Sequence, residues 1–372
     1  MSAGPVKTPV GAKSSDPREA KLEQLRREAE LTGRVDGSGL RPSGSPFPQA
    51  SNLQSPIASA ETGYYGLPLL KVPAWTWEVP IYFFVGGVAG ASAIIGSISR
   101  ITGADPELVR DARALAAIGG SVSPALLVAD LGMPSRFLHM LRVFKIQSPM
   151  SVGSWTLMVF SSSAAGLAFL DLANRRNGWR NGQHNGGNAP SRIPHFIGNA
   201  AEFASVVSGA VLSTYTGVLI GATAVPVWHR NVGMLPIHFG ASGMGSAASL
   251  LELRGHQTPA LNAIGIASAL TETVVGASVE LRKDPALKPL KKGKSGWLTR
   301  IGGLLSGPLP LALRLLSLAA SGSRRARLRK AAAISAVAGS VVTRFAWVQA
   351  GKASAADPGI SLELPEKTNA EG

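Results

Sequence analysis

The chain is 372 residues long, has a formal net charge of +15, and contains 16% charged against 45% hydrophobic residues, where a soluble domain carries about 25% charged residues. Together with 43 glycines, a residue that lets membrane helices pack closely, this excludes an ordinary soluble enzyme and points to an all-α integral membrane protein, a bundle of about eight transmembrane helices. The absence of cysteine excludes disulfides, thiolate-bound iron–sulfur clusters and Cys-ligated zinc.

Residues 1–62 read as a disordered polar arm, rich in Ser, Pro, Lys and Glu and without the apolar stretch of a signal peptide. A short solvated helix is expected within it at 16–31, where DPREAKLEQLRREAEL mixes both charge signs at helical spacing. Residues 63–350 hold the bundle and 351–372 a polar tail. Apolar runs of bilayer length predict spans near 79–99, 114–131, 152–171, 197–222, 233–251, 259–279, 301–320 and 331–350. The run at 301–320 is interrupted by Pro308, Pro310 and Arg314, so seven spans are the alternative. Asp105-Pro106, Ser148-Pro149 and Thr258-Pro259 each place a capping residue before a proline, the signature of a helix start. The segment 174–192 reads as a polar loop. The basic residues gather between apolar runs, at 281–300 and 324–330, as in membrane loops, which sets nucleic-acid binding aside. Both sets of loops are basic, so the positive-inside rule does not orient the bundle.

Charged groups inside spans are costly and tend to face a partner, a cavity or a proton path. Glu202, His238 and Glu272 are the candidates for a proton path, with an interhelical ion pair such as Glu272 with Arg344 as the plainer alternative. Asp130 ends the second span and Arg136 follows across Gly132-Met133-Pro134. An Asp130–Arg136 pair would lock that turn, and proton exchange between Asp130 and a substrate is the other reading. The start of the first span, YYGLPLLKVPAWTWEVPIYFFVGGVAG at 64–90, gathers Tyr64, Tyr65, Trp75, Trp77 and Tyr82. An aromatic belt at the membrane interface accounts for these. An acid, Glu78, and a phenol, Tyr82, one turn apart beside indole faces would also suit a quinone head group, whose reduction takes up two protons. Gly86 and Gly90 permit close approach of a neighbouring helix. In the fourth span, TYTGVLIGATAVPVWH at 214–229, the Tyr215 hydroxyl needs a partner, a core carbonyl in the plainer reading.

Three stretches resemble the NrfD/PsrC family of membrane subunits: YYGLPLLKVPAWTWEVPIYFFVGGVAG, DLGMPSRFLHMLRVFKIQSPMSVGSW at 130–155, and TYTGVLIGATAVPVW. The second, with Asp-Leu, Pro-x-Arg-Phe and Ser-Pro-Met-Ser in order, is the most specific. The resemblance covers roughly 64–228; the later half shares only the span pattern. It implies a multi-pass subunit of the cell (inner) membrane with no intrinsic cofactor. Such a subunit anchors an iron–sulfur (ferredoxin-like) subunit and a molybdopterin-type catalytic subunit. Menaquinone or ubiquinone then binds near the end of the first helices as an exchangeable substrate. By position, Tyr82 falls where relatives place a quinone-contacting His, and Tyr215 matches a quinone-contacting Tyr. Asp130 and Arg136 match the family's loop. The quinone-binding set is therefore Glu78, Tyr82, Trp77, Asp130 and Tyr215, in a chain that is non-catalytic alone or quinone-reactive within a complex. A secondary transporter or proton channel is the alternative, and a passive scaffold the third class.

Overall fold

The structure, a computed structural model, describes residues 70–131, 139–180, 195–357 and 360. All belong to one compact unit, Ile57–Gly372. The polar arm, the helix expected at 16–31, Arg136 and nearly all of the C-terminal tail lie outside the described residues.

The regular structure of the described residues is helical throughout. In chain order come α1 Glu78–Ile101, α2 Pro106–Leu131, α3 Pro149–Arg180 and α4 His195–Gly221, then the one-turn α5 Pro226–His229, α6 Met234–Leu253 and α7 Pro259–Leu281. A 3-10 turn at Pro285–Leu287 and the one-turn α8 Lys288–Lys291 lead into α9 Gly293–Ser306, α10 Pro308–Ala319 and α11 Gly322–Ala356. Three long helices begin at the prolines marked by the sequence. Asp105 accepts from the Glu107 amide at 2.9 Å, Ser148 from Ser151 at 3.4 Å and Thr258 from Leu261 at 3.3 Å. Each side chain thus satisfies an amide that the first turn leaves without a helical partner.

Several helices are longer than their apolar runs: α11 starts at Gly322 rather than 331 and α9 at Gly293 rather than 301, and α2 and α3 show the causes. α2 starts at Pro106 rather than 114 because its charged first turns find partners: Arg113 Nη1 donates to Asp171 at 2.8 Å, and Asp111 accepts from Arg254 at 3.1 Å. α3 continues to Arg180, through the start of the segment read as a loop, since Asn and Arg cost a helix little compared with proline.

Among the described residues, seven helices are long and apolar enough to cross a membrane: α1, α2, α3, α4, α7, α11, and α9 with α10 taken as Gly293–Ala319. α6 stands at the expected fifth span but is not one of the seven. It is rich in Gly and Ser and is mostly buried among its neighbours, so little of it needs an apolar surface for lipid. Ser242 meets Ser340 of α11 at 2.7 Å, and Ser268 of α7 donates to the Ala241 carbonyl at 2.7 Å.

The interrupted run at 301–320 is a broken pair of helices. Gly307 (φ −106°, ψ −96°) separates α9 from α10, and Pro308 opens α10. Arg314 is fully buried and lies 2.8 Å from Glu252, with Asn262 at 3.1 Å and Ser249 at 3.0 Å. Arg329 of α11 binds the same carboxylate. The charge that weakens this run as a span is thus matched inside the protein.

The close approach expected of Gly90 is made by α4: a Cβ on Gly90 would lie 2.2 Å from the Gly209 carbonyl oxygen. Gly86 has ordinary contacts, the nearest at 3.6 Å. The ends of the helices near residues 78, 131, 149 and 219 come together around one cavity. That end, which also holds the end of α11 beside Trp75, is called the proximal face below.

Candidate functional site

The proximal ends of α1, α2, α3 and α4 enclose a cavity of about 110 Å³. Its walls include Trp75, Tyr82, Asp130, Met140, Met150 and Tyr215. Tyr82 reaches it from the first turns of α1 and is 4% exposed. Asp130 arrives from the last turn of α2.

Trp75, just before α1, is fixed from two directions. Its ring stacks on Trp228 with centroids 5.2 Å apart and planes at 18°, and stands edge-on to Phe83 at 6.0 Å. Lys352 of α11 donates to its carbonyl. Trp228 is held in turn by Nε1 donating to the Trp347 carbonyl at 2.9 Å. Its ring fills the space over Gly351, where a Cβ would come within 1.9 Å of it.

Thr76 joins the two acids. Its hydroxyl bonds Glu78 and lies 3.1 Å from Asp130 Oδ1, and its amide is 3.5 Å from the same oxygen. A hydroxyl has one proton to donate, so both side-chain contacts are hydrogen bonds at once only when one carboxyl carries a proton. Thr76 thus ties Glu78, which does not line the cavity, to Asp130, which does.

Tyr215 lines the cavity, but its hydroxyl donates to the Pro149 carbonyl at 2.7 Å. Gly153 makes room for it, since a Cβ there would lie 2.1 Å from the Tyr215 oxygen. The core-carbonyl reading of Tyr215 is the one found, and its single proton is committed to the start of α3.

The structure thus brings Tyr82, Asp130 and Tyr215 together, with Glu78 linked through Thr76. Trp77 is 61% exposed and does not line the cavity. Trp75, which the sequence groups with Trp77 among the interface aromatics, lines it instead. The available signal is spacing: Trp75, Val79 and Phe83 lie four apart, and the last two are on the buried face of α1.

The three acid–base candidates in the spans separate into two places. Glu202 receives Ser97 at 2.8 Å, Arg100 at 2.9 Å and Arg113 at 3.0 Å, and Arg113 also binds Asp171. Its partners come from α1 and α2, away from Glu272 and His238. Glu272 accepts from Ser306 at 2.8 Å and lies 3.3 Å from His238 Nδ1. That last contact is close enough for an ion pair but too poorly aligned for a hydrogen bond, so both ring nitrogens of His238 and Glu272 Oε1 have no hydrogen-bond partner among the described residues. Arg344 donates to the Phe239 carbonyl at 3.0 Å and sits 3.8 Å over the Phe239 ring rather than pairing with Glu272. A groove of about 320 Å³ between α7 and α9 reaches Glu272 from outside.

Two family models match the chain. One described as "Polysulphide reductase, NrfD" covers residues 71–258, and one described as "Polysulfide reductase" covers 187–356. The first contains all the cavity residues named above, and the second carries the likeness through the later helices to the end of α11. No curated protein matches the chain. The chain is a multi-pass membrane protein and belongs to the NrfD family of polysulfide reductase membrane subunits.

Proposed function

We propose that the chain is the quinone-interacting membrane subunit of a multisubunit oxidoreductase. In this reading an iron–sulfur partner docks on the proximal face and exchanges electrons with menaquinone or ubiquinone in the cavity. A molybdopterin-type catalytic subunit lies beyond that partner. The observation that carries the reading is an apolar-walled cavity at a helix-end face that is lined by Tyr82 and Asp130, with Glu78 joined to Asp130 through Thr76.

Reduction of a quinone places two electrons and two protons on it, so the site needs a donor at a ring oxygen and a group that exchanges protons with solvent. Tyr82 is the phenol suited to donate, because the Tyr215 hydroxyl already donates its hydrogen bond to the Pro149 carbonyl. The Glu78–Thr76–Asp130 set is the proton store. A cavity of about 110 Å³ is somewhat smaller than the roughly 150 Å³ that accepts a benzene ring. A head group therefore enters as Met140 and Met150 change rotamer, which unbranched thioether chains do at little cost.

In the purified complex, Tyr82→Phe and Glu78→Gln should depress quinone-linked turnover and leave dye-linked activity of the catalytic partner intact. Wild-type quinone kinetics in both variants would remove the assignment. Transport by the isolated chain in liposomes, independent of quinone, would favour a transporter instead.

A second reading, that turnover moves protons through the bundle, is supported by the His238–Glu272–Arg344 cluster. Unpaired buried polar atoms cost free energy unless water reaches them, and the groove beside Glu272 supplies a route. Glu202 would be the acid at the opposite face, neutralised by Arg100 and Arg113. The Phe239 and Phe83 rings, 6.1 Å apart, stand between His238 and the cavity, so the last step would need mobile water. Proton uptake per electron unchanged in Glu272→Gln proteoliposomes would rule this relay out.

A further inference from the structure

A second opening on the proximal face lies between the start of α9 and the end of α11. It is a groove of about 1010 Å³. Its wall is apolar, formed by Leu298, Val341, Val342 and Phe345. Its rim is cationic: Lys288, Lys292 and Lys294 are exposed there and Lys352 is half-buried, against Asp357 as the acidic member of the lining. Val341, Val342, Phe345 and Lys352 share one face of α11. At 1.5 Å per residue, Val341 lies about 16 Å along the helix from Lys352. The groove therefore runs from a ring of cations down the side of a spanning helix.

That combination selects among ligands. A small soluble anion would use the lysines and leave the apolar wall bare. The acidic surface of a soluble protein would meet the rim but leave the wall bare, since irregular backbone does not enter hydrocarbon. A molecule with an anionic head and an acyl tail uses both parts, and basic pockets between spanning helices are suited to anionic lipid head groups. α9 adds to the positive field, since it opens at this rim with no side chain capping its first amides.

We propose that this groove is a binding site for an anionic phospholipid. Its phosphate lies among Lys288, Lys292 and Lys294, and an acyl chain lies along Leu298, Val341, Val342 and Phe345. The site is distinct from the cavity, and Lys352 stands between them, lining the groove while donating to the Trp75 carbonyl.

The test is native mass spectrometry of the full chain released from detergent with phosphatidylglycerol or phosphatidylcholine of identical acyl chains. One phosphatidylglycerol should be retained in preference to phosphatidylcholine. Lys292→Gln with Lys294→Gln should weaken that retention by about fivefold per charge, the effect of about 1 kcal/mol for each basic residue at a membrane surface. Leu298→Trp, which fills the wall and keeps every lysine, should also displace the lipid. Equal retention of the two lipids, or unchanged retention in both variants, would overturn the proposal. So would competition by glycerol phosphate at the concentration of the lipid, which would assign the site to a soluble anion. Retention of an acidic partner protein through the lysines, with no lipid present, would assign the rim to a protein and overturn it too. If the double lysine variant fails to fold, the two-lipid comparison and Leu298→Trp still decide.

Discussion

The Trp75 ring lies flat against the Trp228 ring, with centroids 5.2 Å apart, so the wall of the cavity before α1 is set by a residue after α4. Trp228 is fully buried, and α11 holds it from behind through the Trp347 carbonyl and the bare backbone of Gly351. The cavity therefore depends on a helix that does not line it.

Replacing that support should unfold the protein and open the cavity together. Trp228→Ala is expected to cost about 3–5 kcal/mol, the range for buried aromatic-to-alanine changes. Gly351→Ala should perturb the site as well, because the new methyl would sit 1.9 Å from the Trp228 ring. Thermal unfolding in detergent, followed alongside quinone-linked turnover in the complex, checks both.

The two phenols should behave differently. Tyr215→Phe removes one hydrogen bond and leaves the Pro149 carbonyl without that donor, which should lower stability by about 1–3 kcal/mol. Its effect on quinone KM should be small. Tyr82→Phe should spare stability and lower quinone-linked turnover by roughly tenfold, the equivalent of about 1.4 kcal/mol in the transition state. Steady-state kinetics on the two variants separate the roles.

Gly153→Ala is a sharper probe of the same wall. The added methyl would lie 2.1 Å from the Tyr215 oxygen, so the ring must leave Pro149 and move toward the cavity. Quinone-linked turnover should fall while dye-linked activity stays. Combining it with Tyr215→Ala, which removes the ring, should restore part of the lost turnover.

Glu252 carries two buried arginines, Arg314 and Arg329. Removing one partner of a buried ion pair costs about 3–5 kcal/mol because the other charge stays behind. Glu252→Gln should therefore destabilise the bundle more than Glu280→Gln, whose partner Arg300 is 60% exposed. The detergent melting temperatures of the two variants give the comparison.

The helix starts at Pro106, Pro149 and Pro259 are legible in the sequence because capping is local: the acceptor and the amide it serves lie within three residues of each other. Tyr82 and Asp130 are legible for a related reason, since an acid or a phenol at the end of an apolar run stands out against its neighbours. What decides the rest is distant in sequence. Nothing near Trp75 indicates Trp228 or Lys352, and nothing near Arg314 indicates Glu252. Trp77 and Trp75 look equivalent in the string, and only the packing of Trp75 on Phe83 separates them. α6 is readable as a span by length, while its glycines and serines make sense only once its neighbours are seen to cover it.

The Glu252 cluster also bears on how the chain enters the bilayer. The acid sits in the last turn of α6, and its two cations come later in the chain, on α10 and α11. Until those helices are made, the carboxylate stands at the end of α6 with its charge unanswered, at a cost that grows with its depth in the bilayer. Integration of the middle of this protein is consequently completed by α10 and α11, and a chain truncated after α7 would expose Glu252 to the quality-control machinery as an unpaired acid.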